Sequence, residues 1–131
     1  MEFYLNGEKR NYEGDPNLNL MDYLRNTEKI ISPKDGCSPE GVCGCCTVLL
    51  DNKAVKSCIS AMKRVEGKEV VTTEGLSAEK RETVVNAFME KVVLQCGFCT
   101  PGILMKVWPL FEKPEQPSRE YFVKALNINL C

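Results

Sequence analysis

Gly36-Cys37-Ser38-Pro39-Glu40-Gly41-Val42-Cys43-Gly44-Cys45-Cys46 puts four cysteines and three glycines into eleven residues. Glycine admits positive φ and lets backbone approach closely, so the stretch reads as a tight irregular loop. Such a loop can turn backbone N–H groups toward sulfur and stabilise the negative charge of grouped thiolates. A plain surface turn would explain the glycines but not the cysteines. Beyond the loop lie Cys58, the pair Cys96/Cys99, and Cys131.

The rest of the composition narrows what those thiols do. The chain has 131 residues, enough for one domain or two very small ones. Hydrophobic residues make up 44% and charged residues 27%, ordinary for a globular protein with a real core. Net charge is -1 and the pI about 5.6, which argues against a nucleic-acid binder. No apolar run reaches the length of a membrane span, and Met1-Glu2-Phe3-Tyr4 does not begin an export signal, so a reducing cytoplasm is expected. There is no histidine, which removes His-ligated zinc, Rieske centres, His-ligated haem and imidazole triads.

Eight cysteines then need a role. Disulfides fit poorly with a reducing compartment and with the crowding of Cys43, Cys45 and Cys46. Buried free thiols would account for Cys45 or Cys58 singly, but not for two Cys-x-x-Cys pairs, Cys43/Cys46 and Cys96/Cys99. Those pairs point to metal. A zinc ribbon places its pairs roughly 15–20 residues apart, whereas 49 residues separate Cys46 from Cys96. Cys37-x5-Cys43-x2-Cys46-x11-Cys58 is close to the plant-type 2Fe–2S spacing.

With Thr47-Val48-Leu49-Leu50-Asp51 and Val55-Lys56-Ser57-Cys58, this loop resembles the iron–sulfur subunit or N-terminal domain of the molybdenum hydroxylases, the xanthine dehydrogenase, aldehyde oxidoreductase and carbon monoxide dehydrogenase family. Gln95-Cys96-Gly97-Phe98-Cys99-Thr100-Pro101-Gly102 resembles that family's second signature, and Asn129-Leu130-Cys131 the start of its Asn-Leu-Cys-Arg-Cys segment. The resemblance spans essentially the whole chain. It implies that Cys37, Cys43, Cys46 and Cys58 ligate one 2Fe–2S cluster. Cys96, Cys99 and Cys131 would be three of the four ligands of a second, and Gln95 would lie against the pterin of a molybdenum cofactor. A helix-start polar residue is the plainer reading of Gln95.

Four positions depart from the family pattern. Five residues separate Cys37 from Cys43 where four are usual, so Ser38-Pro39 must absorb one more. Cys45 stands where alanine is frequent, as a buried hydrophobe or a competitor of Cys46; the two-residue gap favours Cys43/Cys46. Ile128 replaces the glycine before Asn129. The family's next cysteine and last helix would follow Cys131, so the resemblance implies a longer parent polypeptide.

Local patterns supply the architecture. Residues 2–5 alternate, Asn6-Gly7 signals a hairpin, and Glu8 to Tyr12 return. Asn19 caps a short helix through Leu20, Met21, Tyr23 and Leu24. Thr47–Leu50 and Lys53–Val55 flank an Asp51-Asn52 turn, and Glu69–Thr72 forms a further strand. From Thr83, Val84, Val85, Phe88, Val92 and Val93 follow helical spacing. Thr100 as N-cap and Pro101 start another helix, which Pro109 should bend or end. Ser118 caps a third. Phe98, Met105, Trp108 and Phe111 are expected in the core. The basic pairs Lys63-Arg64 and Lys80-Arg81 are expected to be solvated surface. The fold expected is α+β: a ferredoxin-like β-grasp domain over 1–76, then a helical 2Fe–2S domain of four-helix type over 77–131, without its last helix.

The resemblance implies an electron relay: single electrons pass from a molybdopterin centre on a large subunit or domain, through both clusters, to a flavin-binding subunit or an external acceptor. The chain itself carries no substrate site. A free-standing carrier with only the first cluster, and a structural zinc module, account for parts of the pattern but not for the Gln95–Gly102 string.

Overall fold

Phe3 and Leu5 alternate with Glu2 and Tyr4, and in the computed structural model, which describes residues 1–131, that pattern forms strand β1 (Glu2–Leu5) with both apolar side chains buried. Asn6 (φ 52°) and Gly7 (φ 82°) reverse the chain with the positive φ pair that two-residue hairpins favour. Strand β2 (Glu8–Asn11) returns, one residue shorter than the sequence suggests. Asp51 (φ 48°) and Asn52 (φ 59°) do the same between β3 (Thr47–Leu50) and β4 (Lys53–Lys56). Strand β5 (Glu69–Val71) lies between the hairpins, parallel to β1 and antiparallel to β3, so the mixed sheet runs β2-β1-β5-β3-β4.

The Asn19 side chain accepts a hydrogen bond from the Asp22 N–H (2.8 Å) and caps α1 (Leu20–Asp22), which passes directly into a π-helical turn over Tyr23–Thr27. Leu20 and Leu24 pack on one sheet face against Phe3, Leu5, Val48, Val70, Met62 and Val65. Strand β3 is buried along its whole length, as its apolar run Val48–Leu50 should be when both faces are covered. Val48 and Leu50 enter the first core. Leu49 points the other way, into a second core with Leu76, Leu104, Met105 and Trp108.

That second core attaches the helices. They are α2 (Ala78–Glu90), α3 (Thr100–Phe111) and α4 (Arg119–Leu126), the last capped by Ser118, whose Oγ accepts from the Tyr121 N–H at 3.3 Å. Only α3 is deeply packed; α2 and α4 contain no fully buried residue. Three expectations change here. Helix α2 stops at Glu90, and Val92 adopts φ 53°, so Val92 and Val93 are exposed loop residues. Thr100 is the first residue of α3 and Cys99 holds the cap position. Pro109 does not end α3: in the final turn it removes a single backbone bond, and buried Trp108 and Leu110 hold the helix to Phe111. Met105 and Trp108 are core residues, whereas Phe98 and Phe111 are exposed. Lys63, Arg64 and Lys80 lie on the surface, with Arg81 partly covered.

Candidate metal centre

The loop between α1 and β3 carries the four crowded cysteines. Asp35 Oδ1 accepts from the N–H groups of Ser38 (2.7 Å) and Cys37 (3.2 Å), which starts the turn. Ser38 then takes φ 58°, a left-handed residue that turns the loop. Downstream carbonyls are tied outward: the Ser57 hydroxyl and N–H donate to Cys46 O at 2.7 and 3.2 Å, and the Lys34 N–H to Cys45 O at 3.1 Å. Cys43, Cys45, Cys46 and Cys58 are buried, and Cys37 is partly exposed. Cys58 reaches the loop because β4 ends in a tight turn over Ser57–Ile59.

Backbone donors face sulfur, as the loop chemistry requires. The Val42 N–H donates to Cys37 Sγ and the Cys45 N–H to Cys43 Sγ, both at 3.4 Å. Backbone N–H groups, Cys43 first and then Val42, bring the Cys37 thiol down to about 7. Burial, and then the Cys46 thiol, push Cys58 up to about 12. Burial, and then the Cys43 thiol, push Cys45 to about 12.

The second group meets the first. Cys96 and Cys131 are exposed and Cys99 partly so. Burial, then Cys131 and Cys96, push Cys99 upward. Cys96, Cys99 and Cys131 line one cleft with Cys37, Cys43 and Cys45, under Phe98 and Leu130. The C-terminal segment holds this junction: the Leu130 N–H donates to Cys43 O at 2.8 Å, and Asn129 Nδ2 to Gly44 O at 3.4 Å. Gly102, in the first turn of α3, sits against Gly44 and Cys45; a Cβ there would lie 2.4 Å from Gly44 O. Gln95 is exposed and is not among the residues lining the cleft. Local sequence reading missed Lys34, Ser57 and Asn129 as supports, because each acts through a backbone hydrogen bond to a distant residue.

No three of these side chains converge on the position of a single ion. Neighbouring thiols interact: Cys37 and Cys45 with Cys43, Cys58 with Cys46, and Cys99 with Cys131 and Cys96. A mononuclear zinc site needs four donors about one point. A di-iron cluster spreads four thiolates over two irons, which a run of neighbouring sulfurs under backbone N–H groups fits. The residues define a thiolate-rich iron–sulfur protein.

Comparison with known proteins agrees. A 2Fe-2S iron-sulfur cluster binding domain matches residues 3–77, and a 2Fe-2S binding domain matches residues 72–131. The small subunit of nicotine 6-hydroxylase from Paenarthrobacter nicotinovorans is 40% identical over 97% of this chain and 76% of its own length. The small FeS subunit of nicotinate dehydrogenase from Eubacterium barkeri is 35% identical over 97% of this chain and 81% of its own. Quinoline 2-oxidoreductase from Pseudomonas putida 86 superposes with a TM-score of 0.88 at 37% identity, covering 100% of this chain and 81% of that one. Aldehyde oxidoreductase from Desulfovibrio desulfuricans gives 0.89 at 37% identity, covering 99% of this chain and 15% of that one. The chain belongs to the family of iron–sulfur small subunits and N-terminal iron–sulfur domains of the molybdenum hydroxylases.

Proposed function

We infer that this chain is the electron-relay component of a molybdenum hydroxylase. Cys37, Cys43, Cys46 and Cys58 hold one 2Fe–2S cluster, and Cys96, Cys99 and Cys131 supply three ligands to a second. The observation that carries the reading is the crowding of free thiols on the loop with a second thiol group in the same cleft. When bound, the clusters supply one-electron chemistry. The protein's share is to present neighbouring thiolates, to aim the Val42 and Cys45 N–H groups at sulfur, and to cover Cys46 and Cys58 from water.

Substrate chemistry belongs to a molybdopterin-binding large subunit or domain, and a flavin-binding subunit or domain receives the electrons. The printed names of the relatives, small subunits of hydroxylases and dehydrogenases, support such partners. Exposed Gln95 would meet the pterin across that interface. The two functional units are residues 1–76, a β-grasp ferredoxin-like domain, and 77–131, a helical domain of four-helix type; the purely helical character of the second half supports this division. Eight unpaired thiols suit a cytoplasmic location, and no helix is long and apolar enough to cross a membrane.

Paramagnetic resonance of the reduced full-length protein tests the assignment. Cys58→Ser abolishes or alters only one of two cluster signals, and Cys99→Ser only the other. Both signals unchanged in either variant, or a protein free of iron after anaerobic reconstitution, would refute it.

A further inference from the structure

Two peptide units of the loop share one arrangement. Gly41 (φ 71°) turns its carbonyl outward, where Lys56 Nζ donates to it at 2.6 Å, and the next N–H, that of Val42, donates to Cys37 Sγ. Gly44 (φ 76°) turns its carbonyl toward Thr47, whose Oγ1 donates at 2.6 Å, and the next N–H, that of Cys45, donates to Cys43 Sγ. In a planar trans peptide the carbonyl and the following N–H point in opposite directions, so anchoring one outward fixes the other inward. The Gly44 carbonyl is held by Thr47, three residues along the chain, with Asn129 Nδ2 a longer second donor at 3.4 Å. The Gly41 anchor comes from the last residue of β4, fifteen residues away, and ties the loop to the sheet. The Lys56 ammonium has no carboxylate partner and donates to this carbonyl instead.

Resting on Cys37 as a ligand of the first cluster, we propose that Lys56 is a positioning residue: by holding the Gly41 carbonyl it aims the Val42 N–H at the Cys37 sulfur and favours the reduced state. Reduction adds one electron and no proton, so the added negative charge falls on iron and its thiolates. A donor fixed on sulfur stabilises that charge.

The test is a redox titration of the full-length holoprotein followed by paramagnetic resonance, with the proton coupling of exchangeable N–H groups measured in the same samples. Lys56→Met keeps most of the stem and removes the donor. At a fixed potential its ratio of reduced to oxidised first cluster should fall about three- to tenfold, the size of one ordinary net hydrogen bond. That equals about 30–60 mV for one electron. One exchangeable proton coupling should weaken, and the second cluster's midpoint should stay in place. Lys56→Arg, which keeps a donor, should restore both readouts. Should Lys56→Met not hold the first cluster, Lys56→Gln, an uncharged donor, is read the same way against Lys56→Arg.

An unchanged first-cluster midpoint would overturn the proposal. So would a fall with the coupling intact, which is a charge effect alone, or equal shifts in both clusters. Absence of any first-cluster signal in the unsubstituted protein would instead overturn the ligand assignment, and this proposal with it.

Discussion

Replacing Gly102 by alanine asks how rigidly the helical half is seated on the cysteine loop. A Cβ at that position would lie 2.4 Å from Gly44 O, 2.9 Å from Cys45 Cα and 3.1 Å from the Cys45 carbonyl carbon. All three are main-chain atoms of a buried loop, so no rotamer change relieves the clash. Restoring contact near 3.5 Å requires α3 to withdraw by about 1 Å. Overpacking costs about 1–3 kcal/mol, and a backbone-on-backbone clash belongs at about 3. Helix propensity works the other way, favouring alanine by about 1 kcal/mol. The clash wins, leaving a loss of about 2 kcal/mol and a melting temperature lower by about 8 °C for a chain of this size. Thermal and urea unfolding of the full-length protein, followed by circular dichroism, measure it. Gly67→Ala is the control: Gly67, unlike helical Gly102, is left-handed (φ 69°) but has open space around it, so it costs only about 1 kcal/mol of backbone strain. If Gly102→Ala melts at or above the parent, or loses no more than Gly67→Ala, the halves are not seated through this contact.

Glu74 gives a pH test. Burial works to raise its carboxyl, but donors from Ser32 and Thr72 outweigh it and the net shift is downward. Its stabilisation is therefore present above the unfolded value near 4.3 and is lost as pH falls through the lower folded value. Glu74→Gln should cost about 1 kcal/mol at pH 7, discounted for the solvent that reaches this group, and nothing at pH 2; equal loss at both pH values in urea titrations speaks against the carboxylate. Ser57→Ala removes the 2.7 Å bond to Cys46 O but leaves the Ser57 N–H on that carbonyl. The expected loss is about 1 kcal/mol, and a melting change within error would show the hydroxyl to be dispensable. Trp108→Ala empties the second core for about 3–5 kcal/mol, read from urea midpoints; a loss under 1 kcal/mol would mean that α3 is not held by that core. Cys45→Ala should leave both cluster signals in place, and loss of either would make Cys45 a ligand.

The hairpins were legible in the sequence because their information is local. Asn6-Gly7 and Asp51-Asn52 are residues that accept positive φ, flanked by alternating or apolar runs, and no distant contact is needed to place them. Helix ends were less legible. Val92 and Val93 continue the apolar period of α2, yet that helix buries no residue fully and only a half-covered face at Val84, Val85 and Phe88, and the chain turns left-handed at Val92. Pro109 is a strong local signal overruled by burial of its neighbours Trp108 and Leu110. The cysteine loop announced its chemistry through spacing. What orients it came from elsewhere: Lys56 lies fifteen residues from Gly41, and Asn129 lies 85 residues from Gly44. Hydrogen bonds of that span leave no periodicity behind.

The two thiol groups are held by different means, and the difference bears on how the relay is kept in register. Cys43, Cys46 and Cys58 are buried, with the carbonyls of Cys43 through Cys46 all engaged by donors from other segments. Those donors come from Lys34, Thr47 and Ser57 on the sheet side and from Asn129 and Leu130 at the C-terminus. Cys96 and Cys131 are exposed outside the helices and strands, and neither belongs to a buried core. What locates them relative to the first group is the start of α3 against Gly44 and Cys45, and the Leu130 and Asn129 bonds to Cys43 and Gly44. All of these contacts converge on the backbone of one three-residue stretch, 43–45. Main-chain contacts do not slide between rotamers, so the separation of the two groups is set by covalent geometry more than by side-chain packing. An electron relay depends on a constant spacing between its centres, and this fold concentrates that spacing in the least deformable part of the molecule.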